Sequence, residues 1–160
     1  MYFEIEEFVR IKGESSYALG RRFELFCCEL LARYFEELGA IVTHTGASSD
    51  GGRDIIVDMD GYRFVVQCRE EADAFLTVVR RGNFDFGILV GVLEQKIAKG
   101  AYDAADESGG DIIVTLYTRM CQDIKRLIAG RLTEQIRILE NRNRLFILNY
   151  NLIYYSFSVT

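Results

Sequence analysis

"DIIVDMDGYRFVVQCR", residues 54–69, carries the reading of the fold. Two alternating apolar runs flank Asp60-Gly61, and Asp-Gly between such runs marks a two-residue β-hairpin turn. Counting outward from that turn pairs Met59 with Tyr62, Asp58 with Arg63 and Val57 with Phe64. The same count continues through Ile56 with Val65 and Ile55 with Val66 to Asp54 with Gln67. Side chains alternate between faces along a strand. Ile55, Val57, Met59, Tyr62, Phe64, Val66 and Cys68 therefore share one face, apolar enough to be core. Asp54, Gln67 and Arg69 gather on the other face at the open end of the hairpin, where directly opposed Cβ atoms lie about 4.5–5.5 Å apart. Asp58 opposite Arg63 reads as a surface ion pair.

Before the hairpin, "SSYALGRRFELFCCELLARYFEELG" (15–39) repeats apolar residues at three- and four-residue steps through Phe23, Phe26, Cys27, Leu30, Leu31, Tyr34 and Leu38. That is an amphipathic helix, with Ser15 or Ser16 to cap it and Gly39 placed for a left-handed end. "AIVTH" (40–44) reads as a short strand, followed by a Gly/Ser loop over 46–53. After the hairpin the pattern predicts a helix through "EADAFLTVVRR" (71–81) and a buried strand at "FGILVGV" (86–92). A helix over 94–108, a buried strand at "DIIVTLY" (111–117) and a long helix over 119–142 follow. The tail "RLFILNYNLIYYSFSVT" (144–160) is rich in β-formers and reads as a late strand or a subunit contact. Strands joined first by a hairpin and then by helical crossovers imply an α/β fold, a central mixed β-sheet flanked by helices. No repeat and no proline-rich linker interrupts the 160 residues, so one domain is expected, its core over about 17–128 and its basic helix and tail over 119–160.

The net charge of −5 argues against a protein that coats nucleic acid with its whole surface. The charge is uneven: residues 1–60 hold six basic and twelve acidic side chains, whereas 119–144 hold seven basic against three acidic. Arg119, Lys125, Arg126 and Arg131 lie in that basic segment and are candidates for phosphate contacts; a solvated helix face is the alternative. No apolar run is long enough to span a bilayer, and no basic-then-apolar leader opens the chain, so no membrane partner and a cytoplasmic location are expected. Cys27, Cys28, Cys68 and Cys121 show no metal spacing and read as reduced packing thiols. His44, in the first strand without a cysteine or carboxylate at metal spacing, reads as a packing or surface residue. The glycines at 51–52 lack the lysine of a phosphate-binding P-loop.

The polar end of the hairpin has the chemistry of a hard-cation site. Mg²⁺ takes oxygen ligands at about 2.0–2.1 Å and keeps several waters. Asp54 offers a carboxylate and Gln67 an amide oxygen, with Glu24 on the first helix a candidate third ligand.

These residues resemble the Mrr-like restriction endonucleases of the PD-(D/E)XK nuclease superfamily. The resemblance rests on "GRRFE" with Glu24, on "TGASSDGGRDIIV" with Asp50, Gly51, Gly52 and Asp54, and on "VVQCR" with Gln67 and Arg69. "FGILVGV" and "AKGAYDAA" (98–105) fit its second half, and coverage runs from about 17 to 128. It implies a restriction-endonuclease-like core that hydrolyses DNA phosphodiester bonds with Mg²⁺, or Mn²⁺ as a substitute. Asp54 and Gln67 would be metal ligands and Glu24 the supporting acid. Arg69 stands where the family carries lysine. Arginine keeps the charge and can clamp a phosphate, but it stays protonated and cannot act as a base. Lys96 and Lys99 are candidate stand-ins. Two rivals stand beside the endonuclease: a nuclease-fold module impaired at Arg69 that binds DNA or a protein, and a dimeric nuclease like the Holliday-junction resolvases. The apolar tail would suit a homodimer.

Overall fold

The computed structural model describes residues 8–45, 53–59, 61–69 and 74–157, with side chains described as far as 144. Asp50, Gly51, Gly52 and Asp60, the start of the helix expected at 71, and the side chains of Tyr150, Tyr154 and Tyr155 lie outside the described residues. The chain divides into two compact units, Met1–Cys121 and Gln122–Thr160.

The first unit is built on the hairpin. Strand β2 (Ile55–Met59) pairs antiparallel with β3 (Tyr62–Gln67). Its register is Ile55↔Val66, Ile56↔Val65, Val57↔Phe64, Asp58↔Arg63 and Met59↔Tyr62, the pairing counted from the sequence; the ladder stops one pair short of Asp54 with Gln67, and the Asp54 N–H donates to Val66 O instead. Arg63 Nε sits 3.3 Å from Asp58 Oδ1, the surface pair expected there. Strand β1 (Ile41–His44) adds antiparallel to β2 and opposes His44 to Ile55. On the other side β3 pairs in parallel with β4 (Phe86–Gly91), and β4 with β5 (Ile112–Leu116). The sheet is mixed, in the order β1-β2-β3-β4-β5.

Each parallel pair needs a crossover, and these supply the helices. Helix α2 (Phe75–Arg81) links β3 to β4, and α3 (Lys99–Glu107) links β4 to β5. Covered on both faces, β4 is buried at all its positions, as its unbroken apolar run requires. Val65 and Leu89 pack with Phe75, Val79, Ile97 and Ala101 in the core under these helices. Gly87 makes the approach of α2 feasible: a Cβ there would lie 2.4 Å from Val79 Cγ2 and 2.9 Å from the Phe75 ring.

Helix α1 (Ser16–Tyr34) buries Phe23, Cys27, Leu30 and Leu31. The Cys27 thiol interacts with that of Cys68, just past β3, which sets α1 against the hairpin. Ser15 caps the helix, its Oγ accepting from Ala18 N–H at 3.2 Å. The chain leaves through a 3-10 turn at Glu36–Leu38 and turns at Gly39 with φ 66°, the left-handed end expected of that glycine.

Two expectations need correction. The segment 94–108 is not one helix: a 3-10 turn at Glu94–Lys96 gives way to extended backbone at Ile97, whose side chain turns into the core before α3 begins. The tail is not a strand either. Helix α4 runs from Tyr117 to Phe157. Neither glycine nor proline occurs after Gly130 within it, so nothing local stops the helix, and β-propensity is a weak force against a propagating one.

Gly87→Val should destabilise the fold by about 1–3 kcal/mol, the range for overpacking a filled core. Urea unfolding of the variant against the wild-type protein checks this through the midpoint.

Candidate active site at the open end of the hairpin

The register that builds the sheet also sets the site. Asp54 precedes β2 and is tied at both backbone ends: its N–H donates to Val66 O at 3.3 Å, and its carbonyl accepts from Thr45 N–H at 2.9 Å. The residue is 7% exposed. Carboxylate Oδ2 accepts the backbone N–H of Cys68 at 2.7 Å, a bond that crosses the mouth of the hairpin. Burial pushes this carboxyl above the ordinary range; Glu24 adds to that, while the Cys68 N–H, Arg69 and His44 oppose it. The group is therefore poorly compensated by the protein.

Gln67 closes β3 and is 3% exposed. Its Oε1 is buried with no hydrogen-bond partner among the described residues. A buried acceptor left unmatched costs about 1–3 kcal/mol, and Gln67 precedes Cys68, whose N–H holds the Asp54 carboxylate. A cation is a partner that either oxygen would accept. A carboxylate and an amide oxygen are also the donor types a hard divalent ion prefers. Among the described residues no three His, Cys, Asp or Glu side chains form a metal-holding group. A cation here would draw on the neutral amide of Gln67.

Glu24 projects from α1 and is half-buried, with Oε2 at 2.8 Å from His44 Nε2. This pair joins α1 to β1, and His44 is thereby part of the site. Pattern reading missed it, because the contact links two elements whose juxtaposition is tertiary. The register offers a partial signal, since His44 opposes Ile55, the neighbour of Asp54.

Arg69 is exposed at the rim, and its charge reaches Asp54. Lys96 and Lys99 are exposed residues of the 3-10 turn and of the first turn of α3. Burial pushes the Cys28 and Cys121 thiols up to about 12, and Cys68 well above its usual range, which disfavours the thiolate at these three positions. Of the basic residues expected to meet phosphate, Arg119 belongs to the first unit and Lys125, Arg126 and Arg131 to the second. Arg119, Lys125 and Arg126 are exposed, and Arg126 pairs with Asp123 at 3.4 Å.

A family model described as restriction endonuclease, the catalytic domain of the Mrr type, matches residues 19–120. The chain belongs to that family. The match takes in Glu24, Asp54, Gln67 and Arg69, together with all five strands. Searches of curated proteins and of solved structures found no match. The five-stranded mixed sheet with its flanking helices is consistent with the restriction-endonuclease-like fold.

Burial of Asp54 gives a prediction with a definite sign. Its folded-state pKa lies above its unfolded value, so its ionisation penalises the folded protein. That penalty is absent below the unfolded carboxyl pKa of about 3.9 and complete once pH has risen through the folded pKa. Asp54→Asn keeps an oxygen for the Cys68 N–H and removes the charge. Without metal at pH 7 it should raise Tm by about 2–5 °C, and the gain should vanish near pH 3. Mg²⁺ should raise the Tm of the wild-type protein and leave the variant unmoved. Thermal denaturation at the two pH values, with and without Mg²⁺, checks all three.

Proposed function

We propose that this restriction-endonuclease-family domain is a divalent-metal-dependent endodeoxyribonuclease, acting in restriction, defence or repair from the cytoplasm. The observation that carries the reading is the buried, unpartnered Oε1 of Gln67, whose chain neighbour Cys68 donates its N–H to the buried carboxylate of Asp54 at 2.7 Å. Asp54 and Gln67 would hold Mg²⁺, or Mn²⁺ in its place, with Glu24 as the supporting acid. The bound ion would supply charge stabilisation at phosphorus and an acidified water.

The chain's own residues divide the remaining work. The Cys68 N–H and the tied backbone of residue 54 aim the Asp54 carboxylate. His44 fixes the Glu24 carboxylate on α1. The Arg69 guanidinium presents a planar fork to the scissile phosphate and neutralises charge as it develops. It cannot accept a proton, so Arg69 positions and stabilises while the base lies elsewhere.

A second reading follows from that same arginine. A module with this fold, lacking the lysine at 69, would bind DNA or a protein without cutting. Supercoiled plasmid incubated with Mg²⁺ or Mn²⁺ separates the two. The endonuclease reading expects nicked or linear product, reduced about a thousand-fold or more in Asp54→Ala through loss of a metal ligand. Binding without cleavage in either metal rejects it. Arg69→Lys then reports on the arginine: a several-fold fall in cleavage marks a phosphate clamp, and a rise above wild type marks an impaired site.

Basic residues of α4 would track the DNA backbone. Each phosphate contact contributes about 0.9 to the slope of log K against log salt. Lys125→Ala and Arg126→Ala should each lower that slope by about one, measured by fluorescence anisotropy with duplex DNA at several salt concentrations.

A further inference from the structure

A cavity of about 370 Å³ adjoins the site at Cys68 and Arg69. Phe8, Leu19, Gly20 and Phe23 contribute to the rest of its lining. Its volume falls within the range of roughly 300–1,000 Å³ seen for small-molecule sites. Two of its walls are aromatic: the Phe8 and Phe23 rings meet edge to face with centroids 5.0 Å apart. These walls are fixed in advance. The Arg22 guanidinium stacks over Phe8 at 4.4 Å, donates to both Glu14 carboxylate oxygens at 2.8 and 2.9 Å, and reaches Val9 O at 2.7 Å. Phe8 N–H donates to the Tyr117 hydroxyl at 3.1 Å.

Gly20 supplies an independent observation. It lies inside α1, where glycine is less stable than alanine, and its backbone has no left-handed torsion that would require it. Nothing stands within 4 Å of the position a Cβ would occupy. The protein's own packing therefore gives no reason for glycine at this point. Gly20 lines the cavity, and the space that its Cβ would occupy is open.

We propose that this cavity receives an unstacked nucleobase from the DNA strand whose phosphate Arg69 holds. The proposal rests on the nuclease reading for its phosphate contact, and it names the substrate feature that site would take: a nucleotide free to leave the helical stack. Arg69 lines the cavity and its charge reaches Asp54, so a phosphate at its guanidinium puts the attached nucleoside beside the opening. Apolar and aromatic walls with a cation at the rim match a base and its phosphate, since every base offers a π face and stacking is tolerant of sequence. An inorganic anion alone would leave the aromatic walls unused.

The 160 residues hold no tryptophan, so Leu19→Trp puts a lone tryptophan in the cavity wall. In EDTA, which removes any dependence on cleavage, a single-stranded oligonucleotide of about 15 nucleotides, a length suited to single-strand binding grooves, should quench it. A chain of abasic deoxyribose phosphates of equal length should not. In parallel, Gly20→Ala should raise Tm and retain binding, whereas Gly20→Leu should keep or raise Tm and weaken oligonucleotide binding about ten-fold, the scale of one lost stacking contact. Equal quenching by the abasic chain, unchanged affinity in a folded Gly20→Leu protein, or no oligonucleotide binding by the wild-type chain would each overturn the proposal. Plasmid cleavage and its loss in Asp54→Ala are read separately, so failure of the cavity and failure of the nuclease reading give different results.

Discussion

The hydrogen bond from Cys68 N–H to Asp54 Oδ2, at 2.7 Å, closes the hairpin at the end where the sheet stops and the chemistry begins. It exists because β2 and β3 hold one register, and a slip of one residue would exchange the faces of every side chain on the strand. Such a slip would bury Asp58 and Arg63 and expose Val57 and Phe64. The apolar face therefore enforces the position of Asp54 as strongly as any contact that Asp54 makes itself. Core packing and site geometry are one constraint seen from two ends of the same pair of strands.

Part of the energetic cost falls where that constraint delivers polar atoms. Ser108 is satisfied by ordinary means, its Oγ donating to Ala105 O at 2.6 Å and accepting from Ile112 N–H at 3.0 Å, whereas the Tyr62 hydroxyl, at the turn end of β3, is buried without a partner among the described residues. At the hairpin mouth, a carboxyl is raised by burial and an amide oxygen is left without a partner. Local instability at a site whose surroundings are well packed is the pattern expected where binding supplies what folding leaves undone.

Much of this was legible in the sequence, for identifiable reasons. Asp60-Gly61 fixes a register by counting, and the six-residue run at 86–91 has no polar position through which to face water, so both hairpin and buried strand follow from periodicity alone. Gly39 ends its helix where a left-handed residue is needed. The misjudged elements are those decided at a distance. Ile97 interrupts an otherwise helical pattern because the core takes its side chain. The tail's Ile, Tyr and Phe residues favour strands individually, yet a helix already running through Gly130 meets no breaker. Glu24 was visible as a candidate acid, but its bond to His44 depends on α1 lying beside β1, which no local pattern encodes.

The neutrality of Gln67 has a consequence for how such a site fills. A carboxylate in place of that amide would add a second buried negative charge and attract a cation by itself. With an amide, Asp54 and Gln67 together carry one negative charge against the ion's two; Glu24, hydrogen-bonded to His44, would supply the second, and a DNA phosphate would add more of the same sign. Under the metal-dependent reading, ion and DNA would then each raise the other's affinity by the same factor. The charge around the ion would be largest on the strand to be cut.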